Sequence, residues 1–288
     1  SDLFGFSFDN DYNLINYHYF DDRVQVVRVN EKGKKLTKIL STSFPDANVL
    51  IQSASSDQTR YVIRVSSPTD PGTFYLLDLD ANKIEMLTYN YQKIDISKLS
   101  EMNPISYFAR DGLEIKGYLS IPVGSNGESL PTVIMPHDGP IARDVWGFNY
   151  RVQFLITRGY AVLQMNFRGS TGYGRAFWEA SFQQWGLTMQ DDVTDGVQWL
   201  IKQGIADSSR IAIYGGSYGG YCTLAGVTFT PDLYACAIDY VGVSNLVTFI
   251  ETIPPYWEIY LQMLHEMVGD PTNSADSARM QATSRVFQ

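Results

Sequence analysis

The sequence predicts an α/β fold over residues 101–288, a doubly wound and mostly parallel sheet, preceded by an all-β segment over residues 1–100. Three observations carry that expectation. Before residue 100 the chain consists of short β-prone runs separated by turn residues. From Pro104 onward, strand-like runs alternate with helical ones. Finally, Ile211-Ala-Ile-Tyr-Gly-Gly-Ser-Tyr-Gly-Gly220 is a β-branched and aromatic strand entering a glycine–serine–glycine turn, with the helix-compatible run Tyr221 to Val227 behind it. With 288 residues, 44% of them hydrophobic and 14% aromatic, the chain can bury a large core in one to two domains.

In the first part, Asn13 to Tyr19, Arg23 to Val29, Tyr61 to Ser66, Phe74 to Leu79 and Lys83 to Thr88 read as strands. Asn30-Glu-Lys-Gly33, Ser67-Pro-Thr-Asp-Pro-Gly72 and Asp80-Ala-Asn82 read as turns. Residues 57–88 form one four-stranded unit and residues 7–40 a weaker copy, a period that suggests propeller blades. Two blades cannot close a ring, so the segment reads as the last blades of a larger β-propeller; a small β-sandwich is the alternative.

In the second part, Ile105 to Ala109 and Leu113 to Ile121 flank the turn Arg110-Asp-Gly112 as a hairpin. Strand Thr132 to Met135, helix Tyr150 to Thr157 and strand Ala161 to Met165 follow. After them come a helix from about Gln190 to Lys202, strand Arg210 to Tyr214, a helix after Ser217 and strand Ala235 to Val241. Strands alternating with helices imply a parallel sheet with right-handed crossovers, and nearly continuous apolar strands imply burial on both faces. This is the pattern of an α/β-hydrolase with the serine after its fifth main strand.

In that setting Gly215-Gly216-Ser217-Tyr218-Gly219 is a nucleophile elbow, a tight strand-to-helix turn that lifts the serine hydroxyl above the sheet. A serine hydroxyl needs a general base, usually a histidine oriented by a carboxylate. It also needs donors for the oxyanion. The elbow supplies the Tyr218 N–H, and the loop after the third strand, Met135-Pro-His-Asp-Gly-Pro140, offers the Gly139 N–H. His137 lies on the wrong loop for the base and reads as a loop-shaping residue.

A net charge of −9 argues against nucleic acid and anionic membrane as partners. The loose group Lys32, Lys34, Lys35 and Lys38 reads as a solvated turn rather than a basic patch. No apolar run approaches the length of a membrane span. Cys222 and Cys236 show neither metal-ligand nor redox spacing and read as two ordinary semi-buried thiols, so no metal and no cofactor is expected. Arg168 with Gly169, Gly172 and Gly174 fails the glycine spacings of phosphate cradles and reads as a structural loop. Asp191, Asp192 and Asp195 read as first-turn acids set against a helix dipole. The chain begins with Ser rather than Met and is expected to be a processed or excised piece. The compartment, cytoplasmic or periplasmic, and any homo-oligomer stay open.

Residues 131–245 resemble the peptidase domain of the prolyl oligopeptidase family, nearer its acylaminoacyl- and dipeptidyl-peptidase branches. The resemblance rests on His137-Asp-Gly-Pro140, Asn166-Phe-Arg-Gly-Ser-Thr-Gly-Tyr-Gly174, Trp185-Gly186, Asp191-Asp192, Asp195-Gly196 and Gly215-Gly-Ser-Tyr-Gly-Gly220. It implies a serine hydrolase preceded by a β-propeller and cleaving peptide or acyl-peptide substrates. By position it makes Ser217 the nucleophile, with the N–H groups of Tyr218 and Gly139 as oxyanion donors. The family has Gly-Gly where this chain has Asp138-Gly139, which places a carboxylate near the oxyanion unless it points away or is paired. Val243, Leu246 and Phe249 fall where the family lines its S1 pocket, or else are ordinary core at a helix start. Tyr256 and Trp257 add an aromatic wall or pack on the surface.

The triad partners of this fold follow the serine as Asp or Glu, then His. The resemblance places both beyond Gln288, which makes the chain an internal portion of a longer enzyme. His265 reads as a surface or packing residue of an amphipathic helix, and Asp239 as a loop support. An esterase or lipase on the same fold, or a catalytically incomplete fragment or pseudoenzyme, are the competing readings.

Overall fold

The computed structural model describes residues 2–9 and 11–288. By contacts the chain divides into two compact units, one formed by the residues up to Met102 together with Val145–Arg158, the other by Asn103–Asp144 and Gly159–Gln288.

The first unit contains two antiparallel sheets. Strands β1 (Leu3–Phe8), β2 (Leu14–Phe20) and β3 (Val24–Arg28) form one, in that order. Helix α1 (Glu31–Ser43) follows where the sequence reading expected a solvated turn. The four lysines at 32, 34, 35 and 38 therefore lie on a helix. Its cause is local: the Asn30 side chain accepts the Gly33 N–H at 2.7 Å as an N-cap, and Leu36 and Leu40 turn one face inward. The expected weaker copy over 7–40 thus has three strands and a helix.

The second sheet is a four-stranded meander, β4 (Asn48–Ala54), β5 (Arg60–Ser67), β6 (Asp70–Asp78) and β7 (Lys83–Tyr89), with the form of a propeller blade. The blade spans 48–89 rather than 57–88, because β4 had been passed over and only three strands lie in the shorter range. The turn read over 67–72 closes already at Pro68–Thr69. Ser67 pairs with Asp70, whose carboxylate then accepts the Gly72 N–H at 2.8 Å. Tyr61, Ile63 and Val65 alternate into a core with Leu36, Leu40 and Leu77.

The second unit is built on β8 (Asn103–Phe108), β9 (Glu114–Ser120) and β10 (Leu130–Ile134). After α2 (Tyr150–Ile156), which groups with the first unit, come β11 (Ala161–Asn166), α3 (Arg175–Glu179) and α4 (Thr188–Lys202). Then follow β12 (Ala206–Gly216), α5 (Tyr218–Phe229), β13 (Cys236–Tyr240), α6 (Leu246–Glu251), α7 (Leu261–Met267) and α8 (Ser274–Ala282). The six-stranded sheet runs β13-β12-β10-β11-β9-β8. Its first four strands are parallel, and the β8–β9 hairpin pairs antiparallel at the other edge. Ser217 follows the fifth of these strands in chain order.

Helix α4 shows how the sheet is covered. Met189, Val193, Val197 and Leu200 recur at helical spacing and are wholly buried against Leu163, Ile211 and Ile213. Each such side chain contributes about 1.5–3 kcal/mol by leaving water. The same helix carries the acids that had read as dipole complements. Asp191 and Asp195 both pair with Arg110 at 2.8 Å, while Asp192 turns inward to Arg168.

The cysteines depart from their semi-buried reading in opposite directions. Cys222 is fully buried on α5, where burial pushes its thiol up to about 12, whereas Cys236 on β13 is exposed. A maleimide is therefore expected to modify the native chain once, at Cys236, with Cys222 reacting only after denaturation. Double modification of the native chain, read by intact mass, would contradict this placement.

Candidate active site

Strand β12 ends in two glycines and α5 begins with Tyr218, so Ser217 must turn the chain within one residue. It does so at φ 50 and ψ −115, a conformation that costs a non-glycine residue about 1–3 kcal/mol. Its N–H donates to the Tyr240 carbonyl at 3.0 Å, which pins the turn to β13. The serine is exposed while both neighbours are buried.

The surrounding glycines are sterically required. A Cβ on Gly215 would collide with the Gly219 backbone, and one on Gly219 would collide with the Pro136 carbonyl. One on Gly220 would meet Asp239 and stand 2.7 Å from Gly242 Cα. The helix start is thus wedged directly against the loop 136–140 on one side and the loop after β13 on the other. Asp239 braces that second loop, its Oδ1 accepting the Gly242 N–H at 2.9 Å.

The loop 136–140 is held by His137. The ring stacks on Phe167 with centroids 4.2 Å apart, and Phe167 packs on Tyr218 at 5.2 Å. Its Nδ1 lies 2.7 Å from the Asp138 carbonyl and its Nε2 lies 2.8 Å from Ser170 Oγ. Burial lowers the His137 pKa to about 4, with Arg143 adding to the effect and the Asp138 carbonyl opposing it, so the ring is neutral near pH 7. A neutral ring facing a carbonyl carries its proton on that nitrogen, here Nδ1. Because C=O and N–H of one peptide point in opposite directions, anchoring the Asp138 carbonyl also fixes the Gly139 N–H. Gly139 itself sits at φ +127, where a Cβ would stand 2.8 Å from Ile141 N.

The Tyr218 N–H opens α5, where no preceding turn supplies an acceptor. Among the described residues, neither it nor the Gly139 N–H meets an intramolecular acceptor. The Asp138 carboxylate, the departure from Gly-Gly, is exposed, and its Oδ1 lies 3.1 Å from the position a Gly216 Cβ would take.

Beside Gly139 opens an apolar cavity of about 330 Å3. Ile141, Trp185, Phe249, Trp257, Met263 and Met267 line it, and no charged side chain does. Of the three residues expected to form a substrate pocket, Phe249 is on this wall. Val243 and Leu246 are not: Leu246 is buried in the main core and Val243 packs against the same cluster. Leu246 is the first residue of α6 after its Asn245 cap and is buried in the core, while Phe249, three residues on and beside it on the helix, packs against that core and reaches the cavity. Trp257 also lines it, whereas Tyr256 is 77% exposed. The methionines of α7 were not anticipated, since a helical apolar stripe reads equally well as core.

No histidine nitrogen lies within hydrogen-bonding distance of Ser217 Oγ among the described residues. His265 on α7 faces Asp270 at 3.9 Å instead.

Beneath the site, the loop after β11 is locked to α4. Arg168 Nε and Nη2 contact both oxygens of Asp192 at 2.9 and 2.7 Å, its own N–H donates to the same carboxylate at 2.9 Å, and Nη1 reaches Asp111 at 2.8 Å. Burial opposes the Arg168 charge, but the hydrogen bonds to Asp192 and Asp111 outweigh it and hold the proton. The Gly-rich run is therefore structural, and its arginine is neutralised from within.

Residues 146–285 match the sequence model of the prolyl oligopeptidase family, peptidase S9. The chain belongs to the prolyl oligopeptidase family. It is 38% identical over 235 residues to dipeptidyl aminopeptidase BIII of Pseudoxanthomonas mexicana, covering 79% of this chain and 34% of that relative. It is 35% identical over 280 residues to dipeptidyl peptidase family member 6 of Caenorhabditis elegans, covering 90% and 38% respectively. Among solved structures it is similar to a puromycin-hydrolyzing peptidase of Mycobacterium tuberculosis, with TM-score 0.75 and 25% identity over 98% of this chain and 43% of that one. The chain thus spans roughly a third of the length of these curated relatives. Within this family member, the α/β-hydrolase unit and the blade-like sheet are the two architectures that the sequence pattern had indicated.

Proposed function

We propose that this chain carries the nucleophile and oxyanion hole of a serine peptidase that cleaves peptide or acyl-peptide bonds through an acyl-enzyme on Ser217. The observation that carries the reading is the elbow itself: an exposed serine in a strained turn at a helix start, wedged against a loop whose Gly139 N–H is fixed. In the first step Ser217 Oγ attacks the substrate carbonyl carbon and its proton passes to a general base. The carbonyl oxygen becomes an oxyanion facing the Tyr218 and Gly139 N–H groups, and collapse expels the amine as the base returns the proton. Loss of one such donor typically costs about 3–4 kcal/mol of transition-state stabilisation. Neither His137, held neutral between Asp138 and Ser170, nor His265, turned to Asp270, is placed as that base.

The apolar cavity beside Gly139 serves as the P1 pocket in this reading. With no charged group on its wall, it accepts an aromatic or large aliphatic side chain and rejects a carboxylate, which would be desolvated without a partner. Peptidyl diphenyl phosphonates test both points at once. The compound with Phe at P1 is expected to label Ser217 at least about tenfold faster than its Glu counterpart. Equal rates would remove the cavity from the substrate site, and labelling elsewhere would remove the serine.

A further inference from the structure

The first unit holds a second cavity, of about 440 Å3, that the chemistry at Ser217 does not use. Strand register builds its walls. On β3, Val24, Val26 and Arg28 share one face, paired with Phe20, His18 and Asn16 of β2. On β5, Arg64 pairs with Leu50 of β4, and its neighbour Ser66 with Asn48. Leu40 and Phe44, from α1 and its C-cap, complete the apolar part.

Three arginines line this groove: Arg23 stacks over the Trp146 ring at 3.8 Å, while Arg28 and Arg64 have little to neutralise them. Arg28 is partly buried, and its Nη1 donates to Thr37 Oγ1 at 3.1 Å. Arg64 Nη2 donates to the Pro71 carbonyl at 2.8 Å, while its Nε is buried without a partner. Among the described residues no carboxylate pairs with either, and no Asp or Glu lines the cavity. Acids are not scarce in a chain of net charge −9. Arg60, Arg110, Arg168, Arg175, Arg210 and Arg279 each have a carboxylate partner within 2.8 Å. Burial works against the Arg28 charge, so keeping it there unpaired is unfavourable unless something else supplies the anion.

We propose that this groove binds a carboxylate carried on an apolar body, such as a blocked apolar amino acid or the C-terminus of a short apolar peptide. The planar forks of Arg28 and Arg64 match the two oxygens of a carboxylate, and Val24, Leu40, Phe44 and Leu50 receive the apolar part. The volume lies within the range of small-molecule sites, about 300–1,000 Å3. The proposal does not rest on the peptidase reading and is tested in the Ser217→Ala chain, so that turnover plays no part.

Ligand-observed NMR titration of that full chain uses N-acetylleucine, its uncharged match N-acetylleucinamide, the tripeptide Gly-Gly-Leu and inorganic phosphate. N-acetylleucine is expected to bind saturably and the amide about tenfold more weakly or worse, the loss expected for charge-assisted hydrogen bonds. Arg28→Gln and Arg64→Gln are each expected to weaken binding by a similar factor. Ser41→Glu, at an exposed helix position on the rim, is expected to abolish binding without repacking any core residue, by placing a carboxylate at the mouth. Tighter binding of Gly-Gly-Leu than of N-acetylleucine assigns the site to peptide C-termini, and the reverse order assigns it to free blocked amino acids. Equal affinity for the amide, phosphate binding as tightly as N-acetylleucine, or unchanged binding in all three folded variants would overturn the proposal.

Discussion

Replacing Asp192 with alanine is expected to lower folding stability by about 3–5 kcal/mol, the usual cost of leaving one member of a buried ion pair alone. Asp192 is wholly buried and accepts three hydrogen bonds from Arg168, one of them from the backbone. Its removal leaves the guanidinium with only the more exposed Asp111. The damage also reaches the site, because Arg168 is next to Phe167, the ring between His137 and Tyr218. The double replacement Arg168→Met with Asp192→Leu is expected to recover a large part of the loss, since an apolar pair of similar volume leaves no charge buried. Urea unfolding of the three variants checks this. A loss below about 1 kcal/mol in Asp192→Ala would contradict the account of this pair.

The second large effect depends on pH. Asp144 follows the loop 136–140; its Oδ1 accepts the Gln164 amide at 2.7 Å, and its Oδ2 is buried without a partner. Burial raises its pKa to about 7, the Gln164 hydrogen bond opposes the shift, and the nearby Asp138 charge adds to it. A carboxyl whose folded pKa lies above its unfolded value stabilises the fold fully below the unfolded value, near 3.8, and loses that contribution as pH rises through about 7. Asp144→Asn keeps the shape and cannot ionise. Relative to the parent chain it is expected to gain on the order of 2–4 kcal/mol at pH 8, less than half of that at pH 5, and to change little at pH 4. His137 runs the other way. Its depressed pKa gives stability that is present above about pH 6.5 and lost as pH falls towards about 4. Denaturation midpoints of parent and Asp144→Asn across pH 4–9 separate the two. A constant difference would show that Asp144 does not titrate in this range.

What the sequence made legible follows the range of the interactions. The elbow is local: the strand before Ser217, the glycines around it and the helix behind it all lie within twenty residues, and all stand as read. The parallel sheet was legible for a similar reason, since each strand-and-helix pair carries its own periodicity. Helix α1 was misread because Asn30 and Gly33 are turn residues and N-cap residues alike, and only the spacing of Leu36 and Leu40 separates the two uses. Strand β4 was passed over although Val49 and Ile51 alternate, because four of its seven positions are exposed, the apolar Leu50 among them.

Longer-range parts of the site were not legible. His137 reaches Ser170 across 33 residues, and Phe167 meets Tyr218 across a still longer stretch of chain. The pairing of Arg168 with Asp192 looked from the sequence like a loop and a dipole complement. In the cavity wall, Phe249 and Trp257 were singled out but Met263 and Met267 were not. Val243 precedes the Asn245 cap of α6 and Leu246 is the helix's first residue, and both pack in the core. Phe249, three residues beyond Leu246 and beside it on the helix, packs against the core and also reaches the cavity.

The central claim is that the elbow and the two backbone donors make Ser217 a reactive nucleophile. Intact-mass analysis of the 288-residue chain after exposure to a fluorophosphonate, beside Ser217→Ala and His265→Gln, tests it most directly. Oxyanion stabilisation and binding alone leave about 10³–10⁴-fold of catalysis in serine hydrolases without a complete triad. A single adduct is therefore expected, absent in Ser217→Ala and formed at the same rate in His265→Gln. No adduct on the folded chain, or one that persists in Ser217→Ala, would contradict the claim.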